Sequence, residues 1–280
     1  AADLARRAKI QARIADGRGL DGKDAAGLDA LHRQLRFARQ RAIDLRLSEV
    51  QVLRGADHVQ LAGAGAVILE TALRLQGAIG AAGRGGSGLS DATLAPLLER
   101  AFRRKKPVAV ALAVNSPGGS PVQSSLIGAR IRRLSQEHDV PVHAFVEDVA
   151  ASGGYWLASS ADYIWADDSS VLGSIGVIAA GFGFTELIQR HGIERRVHTA
   201  GRSKSMLDPF RPETPEDVER LDRLLGPIHQ AFQDQIRSRR GGRLAEGRDL
   251  FTGEVWTGRE AVELGLADGI AHLVPKMREL

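Results

Sequence analysis

The segment from Pro107 to Val114 places the strongest limit on the fold, because every residue in it is apolar. A strand is apolar on both faces when its sheet is covered on both sides, as in parallel sheets flanked by helices. Segments with helical spacing lie on either side of it, at 94–104 and 123–137, and another apolar strand follows at 140–146. This alternation of strands and helices predicts an α/β fold.

The remaining pattern predicts one large domain with an N-terminal extension. The chain has 280 residues, 43% of them hydrophobic, which is enough for a sizeable core. Apolar residues at helical spacing in a polar background predict a helical extension over 1–62, followed by a domain over 63–280. Further strands are predicted at 67–75, 163–166 and 172–178, extended chain at 195–199, and helices at 153–160, 185–191, 215–239 and 258–264.

Composition excludes several classes of function. The absence of cysteine excludes disulfides, thiolate catalysis and cysteine-bound metals, and the eight histidines lack metal-ligand spacing, so no metal is expected. Dispersed basic residues and 5% aromatic content argue against nucleic-acid binding. No G-x-G-x-x-G sits cleanly between the first strand and helix, which argues against a dinucleotide; we expect no cofactor. No apolar run approaches the roughly 18–20 residues that span a bilayer.

A serine and a lysine are the candidate catalytic residues. Ser152 lies between Ala151 and Gly153 at the predicted start of a helix, where backbone N–H groups favour negative charge. Lys204 stands among small residues in a chain with six lysines and 32 arginines. Unlike arginine, a desolvated lysine can lose its proton and act as a general base. Taken alone, Ser152 is better explained as an ordinary helix cap.

Two glycines are candidate donors for an oxyanion hole. Gly118 and Gly119 follow the apolar strand, and Gly153 follows the next strand along the chain. In a layered α/β fold both loops emerge at the same edge of the sheet, so the N–H groups of Gly119 and Gly153 can converge on one carbonyl oxygen. An ordinary tight turn also explains Gly118 and Gly119, but the combination with Ser152 and Lys204 favours a catalytic site.

Four motifs in this chain resemble those of the S49 peptidase family, the signal peptide peptidase A type with a Ser-Lys dyad. They follow the family's order and spacing, and the resemblance covers about residues 70–275. The motifs are Val114-Asn-Ser-Pro-Gly-Gly119, Ala150-Ala-Ser-Gly-Gly-Tyr155, Gly173-Ser-Ile-Gly-Val177 and Gly201-Arg-Ser-Lys-Ser205. The stretch 253–268 also looks like the C-terminal part of the wider crotonase and Clp-protease superfamily.

The resemblance assigns a role to each candidate residue. It implies Ser152 as nucleophile, Lys204 as general base, Gly119 and Gly153 as oxyanion donors, and Ser174 as the residue that positions the lysine amine. It implies a crotonase/Clp-protease-like spiral of ββα units, with 63–280 as the peptidase domain.

The resemblance also carries expectations about partners. It implies peptide substrates, among them signal-peptide remnants, and a homo-oligomeric ring or dome in which neighbouring subunits can share a dyad. It further implies a bacterial, membrane-associated protein, held by an anchor preceding Ala1 or by the N-terminal helices, and a cytoplasmic one if no anchor was removed.

Three alternatives remain open at this point. A Ser-His-Asp triad needs a histidine soon after the serine, but none occurs from Ser152 to Phe184. His191 and His198 come later, and His198, on a predicted strand just before the lysine loop, is the alternative base. A catalytically silent scaffold of the same fold is the second alternative. A crotonase-type acyl-CoA enzyme is the third, because it uses a similar oxyanion hole without a Ser-Lys pair.

Overall fold

The computed structural model describes residues 61–63, 66–68, 71–80, 88–103, 107–201 and 203–280. The predicted N-terminal extension, 1–62, lies outside the described residues except for Leu61 and Ala62, which belong to the first strand.

A mostly parallel sheet of seven strands organises the described residues. The strands are β1 Leu61–Gly63, β2 Ala66–Ile68, β3 Thr71–Gln76, β4 Val110–Ser116, β5 Val142–Ala151, β6 Tyr163–Ala166, β7 Val171–Gly173, β8 Val255–Thr257 and β9 Gly269–Ile270. The helices are α1 Asp91–Arg103, α2 Pro121–His138, α3 Gly153–Ser159, α4 Thr185–Arg190, α5 Pro215–Arg240, α6 Gly258–Glu263 and α7 Leu273–Met277, with a 3-10 turn at Gly241–Arg243.

The strand order confirms the predicted α/β fold. Strands β3, β4, β5, β6 and β9 pair in that order, all parallel, while β1 and β2 form a separate antiparallel pair. Strands β7 and β8 extend from the end of β5. Parallel strands joined by helices agree with the crotonase and Clp-protease type of fold. In the described part of the chain, no helix has the length and apolar character to cross a membrane.

Strand β5 changes partner along its length and thereby sets up the site. Its first half pairs with β4 and β6, and its last three residues pair with β7. Between the pairs Val114–Val146 and Ser116–Ala150 the register shifts, so β5 has three residues where β4 has one. Such bulges bend a strand and redirect the chain that follows. The bend leads directly to Ser152.

The alternation of large and small residues in β4 decides which face of the sheet carries the main core. Val110, Leu112 and Val114 point into a large apolar cluster that includes residues of α1, α2 and α3. Ala109 and Ala111 face the other side, where a smaller cluster contains Phe145 and Met277. Burying each large aliphatic side chain contributes about 1.5–3 kcal/mol, so the first face dominates the stability of the sheet.

Helix α3, which begins beside Ser152, is anchored by a buried tyrosine. The Tyr155 hydroxyl donates a hydrogen bond of 2.7 Å to the carbonyl of Leu266, far along the chain. Burial raises the pKa of Tyr155, which keeps the phenol neutral and able to donate. This hydrogen bond holds the helix that follows Ser152 against the C-terminal part of the fold.

Two predicted extended segments differ from the structure. The strand predicted at 172–178 ends at Gly173, because Gly173 and Ser174 both have positive φ, at 109° and 51°, and turn the chain. No strand forms at 195–199. Strands β8 and β9 could not be predicted from periodicity, because they are only three and two residues long and so few residues cannot show a period of two.

Candidate active site

Ser152 occupies the sharp turn between β5 and α3. Its backbone has φ 51° and ψ −123°, a conformation that costs a residue with a side chain about 1–3 kcal/mol. The turn is held because the Ser152 N–H donates to the Gly173 carbonyl at 2.8 Å and the Ser152 carbonyl accepts from Tyr155 at 2.9 Å. The Ser152 hydroxyl makes no capping bond to the helix. The helix-cap explanation for this serine is therefore wrong.

The Gly118–Gly119 loop lies against the segment that follows β3 and requires glycine at both positions. Gly118 and Gly119 have φ of 97° and 147°. A Cβ on Gly119 would lie 2.0 Å from the Ile79 carbonyl oxygen, well inside contact distance. Ile79 also pairs with this loop, since its N–H donates to Gly118 O at 2.8 Å and its carbonyl accepts from Ser120 N at 2.8 Å. The loop is thus a paired, fixed element.

The N–H groups of Gly119 and Gly153 are both available to a ligand. Neither donates to an acceptor within the described part of the chain. The two loops are adjacent, because a Cβ on Gly118 would lie 2.7 Å from Gly153 N and 2.9 Å from the Ser152 Cβ. Two free backbone donors beside a serine hydroxyl are the arrangement that stabilises an oxyanion.

A cleft of about 530 Å³ brings together four of the five predicted site residues, Ser152, Gly119, Gly153 and Ser174. Its apolar wall includes Trp156 and Phe232, whose rings stack with centroids 5.1 Å apart. Among the described residues, no charged side chain and no histidine lines this cleft. The remaining lining residues are Pro117, Pro121, Ser124, Gly176, Val177, Ile178, Ile228, Thr252 and Gly253.

Ser174 sits on a second strained turn that faces the same cleft. Its φ is 51°, and its N–H donates to the Glu254 carbonyl at 2.6 Å. The preceding Gly173 is packed against Trp256, because a Cβ there would lie 2.7 Å from the indole ring. The segment that carries β8 therefore supports Ser174.

Lys204 lies apart from this cleft. It is exposed on the segment between α4 and α5, within a turn in which its N–H donates to the Gly201 carbonyl at 3.2 Å, and it is not among the cleft-lining residues. His198, the alternative base, is also exposed and does not line the cleft. The described part of one chain thus assembles the serine and the donors without the lysine.

Sequence reasoning missed the residues that α5 and the segment before β8 bring to the site. Ile228 and Phe232 lie one helical turn apart on α5, and Thr252 and Gly253 precede β8. Their only signal was the helical spacing of α5, which does not reveal its partner. The part of the chain that the structure describes contains no group of three or more acidic or histidine side chains placed to hold a metal ion.

Comparison with known proteins points to one peptidase family. The family model described as peptidase family S49 matches residues 135–278, which include Ser152, Ser174 and Lys204. The chloroplastic serine protease SPPA of Arabidopsis thaliana is 33% identical over 170 residues, 60% of this chain and 25% of that protein. Protease 4 of Haemophilus influenzae is 33% identical over 189 residues, 64% of this chain and 29% of that protein.

Higher identity is found with part of a protein of different name. The Na+/H+ antiporter NhaA of Brucella melitensis is 53% identical over 191 residues, which are 68% of this chain and 26% of that protein. This chain therefore spans only about a quarter of the length of these relatives.

Proposed function

The chain belongs to the S49 family of peptidases, and on that premise we propose that it is a serine endopeptidase with Ser152 as nucleophile and Lys204 as general base. One observation carries the proposal: the Ser152 hydroxyl, free of any capping bond, lies on a strained turn in one cleft with two N–H donors that have no acceptor among the described residues. Strain at such a turn is characteristic of functional sites.

The proposed reaction combines the groups in the cleft with Lys204, which lies outside the cleft in the described part of one chain. Neutral Lys204 takes the Ser152 proton, and the serine oxygen attacks the carbonyl carbon of the scissile peptide. The N–H groups of Gly119 and Gly153 stabilise the resulting oxyanion. Lys204 then gives its proton to the leaving amine, and water hydrolyses the acyl-enzyme.

The lysine requires a further partner, and we propose that this partner is a second copy of the chain. A lysine with the usual pKa of about 10.4 is only about 0.1% neutral near pH 7.4, so a general-base lysine must be removed from water. In a single chain Lys204 is exposed. The segment between β7 and α4 exposes Ile178 and Phe182, which are 85% and 80% accessible. Exposed apolar side chains in a chain that also exposes its base fit a homo-oligomer in which a neighbouring subunit covers both.

The cleft supports flexible peptides with small or apolar side chains as substrates, signal-peptide remnants among them. Trp156, Phe232 and Ile228 form an apolar wall, which favours apolar groups over charged ones because a charge would lose its hydration without gaining a partner.

Peptide-library cleavage tests the proposal directly. The parent protein and Ser152→Ala are compared, with Ser238→Ala as the matched control, since Ser238 is an exposed serine of α5 outside the cleft. We expect cleavage by the parent and by Ser238→Ala and none by Ser152→Ala. Equal cleavage by all three would overturn the proposal, and no cleavage by the parent would favour the scaffold alternative.

The Lys204→Ala variant separates the peptidase from an acyl-CoA enzyme of crotonase type. We expect the variant to lose peptide turnover, because the serine then lacks its base. Turnover of an acyl-CoA thioester at the same rate in parent and variant would favour the crotonase alternative.

A further inference from the structure

A buried serine lies directly beneath the candidate oxyanion hole. Ser116 is the last residue of β4 and is fully buried, although the preceding positions of that face are Val and Leu. A buried hydroxyl is costly unless it is hydrogen-bonded. Here the Ser116 hydroxyl donates to the Gly77 carbonyl at 2.7 Å and accepts from the Gly118 N–H at 3.2 Å. Gly118 directly precedes Gly119, and Gly77 belongs to the segment whose Ile79 is hydrogen-bonded to the Gly118–Gly119 loop.

The hydrogen bond from the Gly118 N–H to the Ser116 hydroxyl fixes one side of Gly118. Gly118 has no side chain to restrict it, and its φ of 97° lies where glycine is favoured. Its N–H is held by Ser116, and its carbonyl accepts from the Ile79 N–H at 2.8 Å. The Gly118 carbonyl and the Gly119 N–H belong to one planar trans peptide, so they point in opposite directions. Fixing the carbonyl toward Ile79 therefore aims the Gly119 N–H away from Ile79.

The hydrogen bond from the Ser116 hydroxyl to the Gly77 carbonyl fixes the segment that carries Ile79. Gly77 directly follows β3, two residues before Ile79, and it is held twice: its carbonyl accepts from Ser116, and its N–H donates to the Asn115 carbonyl at 2.9 Å. One hydroxyl thus restrains Gly118 directly and Ile79 through Gly77. Gly118 supplies the carbonyl of the peptide that bears the Gly119 N–H, and Ile79 holds that carbonyl by a hydrogen bond.

We propose that Ser116 is a positioning residue that aims the Gly119 N–H at the oxyanion, an inference that rests on the proposed peptidase function. Ser116 is fully buried and does not line the cleft. Its effect reaches the reaction only through the orientation of the Gly119 peptide. Loosening that peptide weakens the interaction with the developing negative charge and leaves the binding of uncharged substrate largely unchanged.

The Ser116→Ala variant tests the proposal. Removing one oxyanion donor outright typically costs about 100–1000-fold in kcat, and we expect a misaimed donor to cost about 10-fold or more, with KM within about twofold of the parent. Affinity for a peptide aldehyde, which forms a tetrahedral adduct at the serine, should fall by a similar factor. Ser116→Cys, which keeps a weaker hydrogen-bonding group of similar shape, should give an intermediate kcat and remains measurable if the alanine variant does not fold.

The control is Ser135→Ala, which removes a similarly buried hydroxyl from α2, where it donates to Val140 O at 2.8 Å. We expect it to lower thermal stability without changing kcat. Parent-like kcat in folded Ser116→Ala, or an equal loss of kcat in Ser135→Ala, would overturn the positioning role alone. Cleavage that persists in Ser152→Ala would overturn the peptidase proposal and this one with it.

Discussion

Replacing Gly119 with alanine should abolish most activity, because the structure leaves no space for a methyl group there. The added Cβ would lie 2.0 Å from the Ile79 carbonyl oxygen and 2.9 Å from the Ile79 carbonyl carbon and nitrogen. All three are backbone atoms. Ordinary contact between such atoms is about 3.5 Å, so the two segments must separate by more than about 1 Å. Gly119 also has φ 147°, which disfavours alanine independently.

The separation has a calculable effect on both stability and rate. Ile79 makes two backbone hydrogen bonds with this loop, to Gly118 and from Ser120, and each contributes about 0.5–1.5 kcal/mol. Both are strained when the segments part. A misplacement of about 1 Å in a catalytic group can lower the rate about 100-fold, and loss of one oxyanion donor about 100–1000-fold. We therefore expect kcat/KM of Gly119→Ala to fall by about 100-fold or more.

The assay compares kcat/KM for a cleaved peptide and the unfolding temperature of the parent, Gly119→Ala and Gly242→Ala. Gly242 is exposed, has no positive φ and has no atom within 4 Å of the position that an added methyl group would take, so its substitution controls for the change of residue type. Gly242→Ala should match the parent in both measurements. Folded Gly119→Ala with kcat/KM within about threefold of the parent would refute the assignment of its N–H as an oxyanion donor.

Three further predictions concern the base, the assembly and a buried histidine. If a neutral lysine is the base, kcat/KM should rise from pH 6 toward pH 10, and a flat profile with chemistry rate-limiting would contradict the dyad. If Lys204 acts across subunits, mixing inactive Ser152→Ala with inactive Lys204→Ala should restore about a quarter of the parent activity, as random pairing in a closed ring predicts; no recovery after verified subunit exchange would contradict it. Burial is the main cause that lowers the pKa of His143, and the His143 Nδ1 accepts from Trp165 Nε1 at 3.1 Å. The His143 imidazole therefore binds a proton less readily in the folded state than in the unfolded state. The contribution of His143 to the free energy of unfolding, measured by urea titration, should be complete above about pH 6.5 and decrease below it by at most about 1.36 kcal/mol per pH unit. An equal decrease in His143→Gln would contradict the assignment of this effect to His143.

The parts of the fold that local sequence determines were predictable. The apolar run ending at Val114 gave a buried parallel strand, and the helical period of 215–239 gave α5, because periodicity reports which face is buried. The change of partner within β5 was not predictable, since the bulge depends on where β7 docks. Short strands such as β8 likewise owe their conformation to tertiary pairing.

The candidate site likewise has a part that local sequence predicts and a part that depends on tertiary contacts. Ser152, Gly119 and Gly153 follow directly from strand ends, so their meeting at one edge of the sheet was predictable from topology. The wall formed by Phe232 comes from a helix about 80 positions later in the chain, and no local pattern announces that contact. The position of Lys204 was not predictable either: the sequence grouped it with Ser152, whereas the described part of one chain leaves it exposed and outside the cleft.

The most direct test of the central claim is to locate the nucleophile chemically. The parent protein is treated with a fluorophosphonate, which forms a covalent bond with an activated serine, and the adduct is located by intact-mass measurement and peptide mapping. We predict one adduct per chain, on Ser152, that is lost in Ser152→Ala and retained in Ser238→Ala. An unmodified parent protein under conditions in which the cleft is accessible, or an adduct on another residue, would contradict the account.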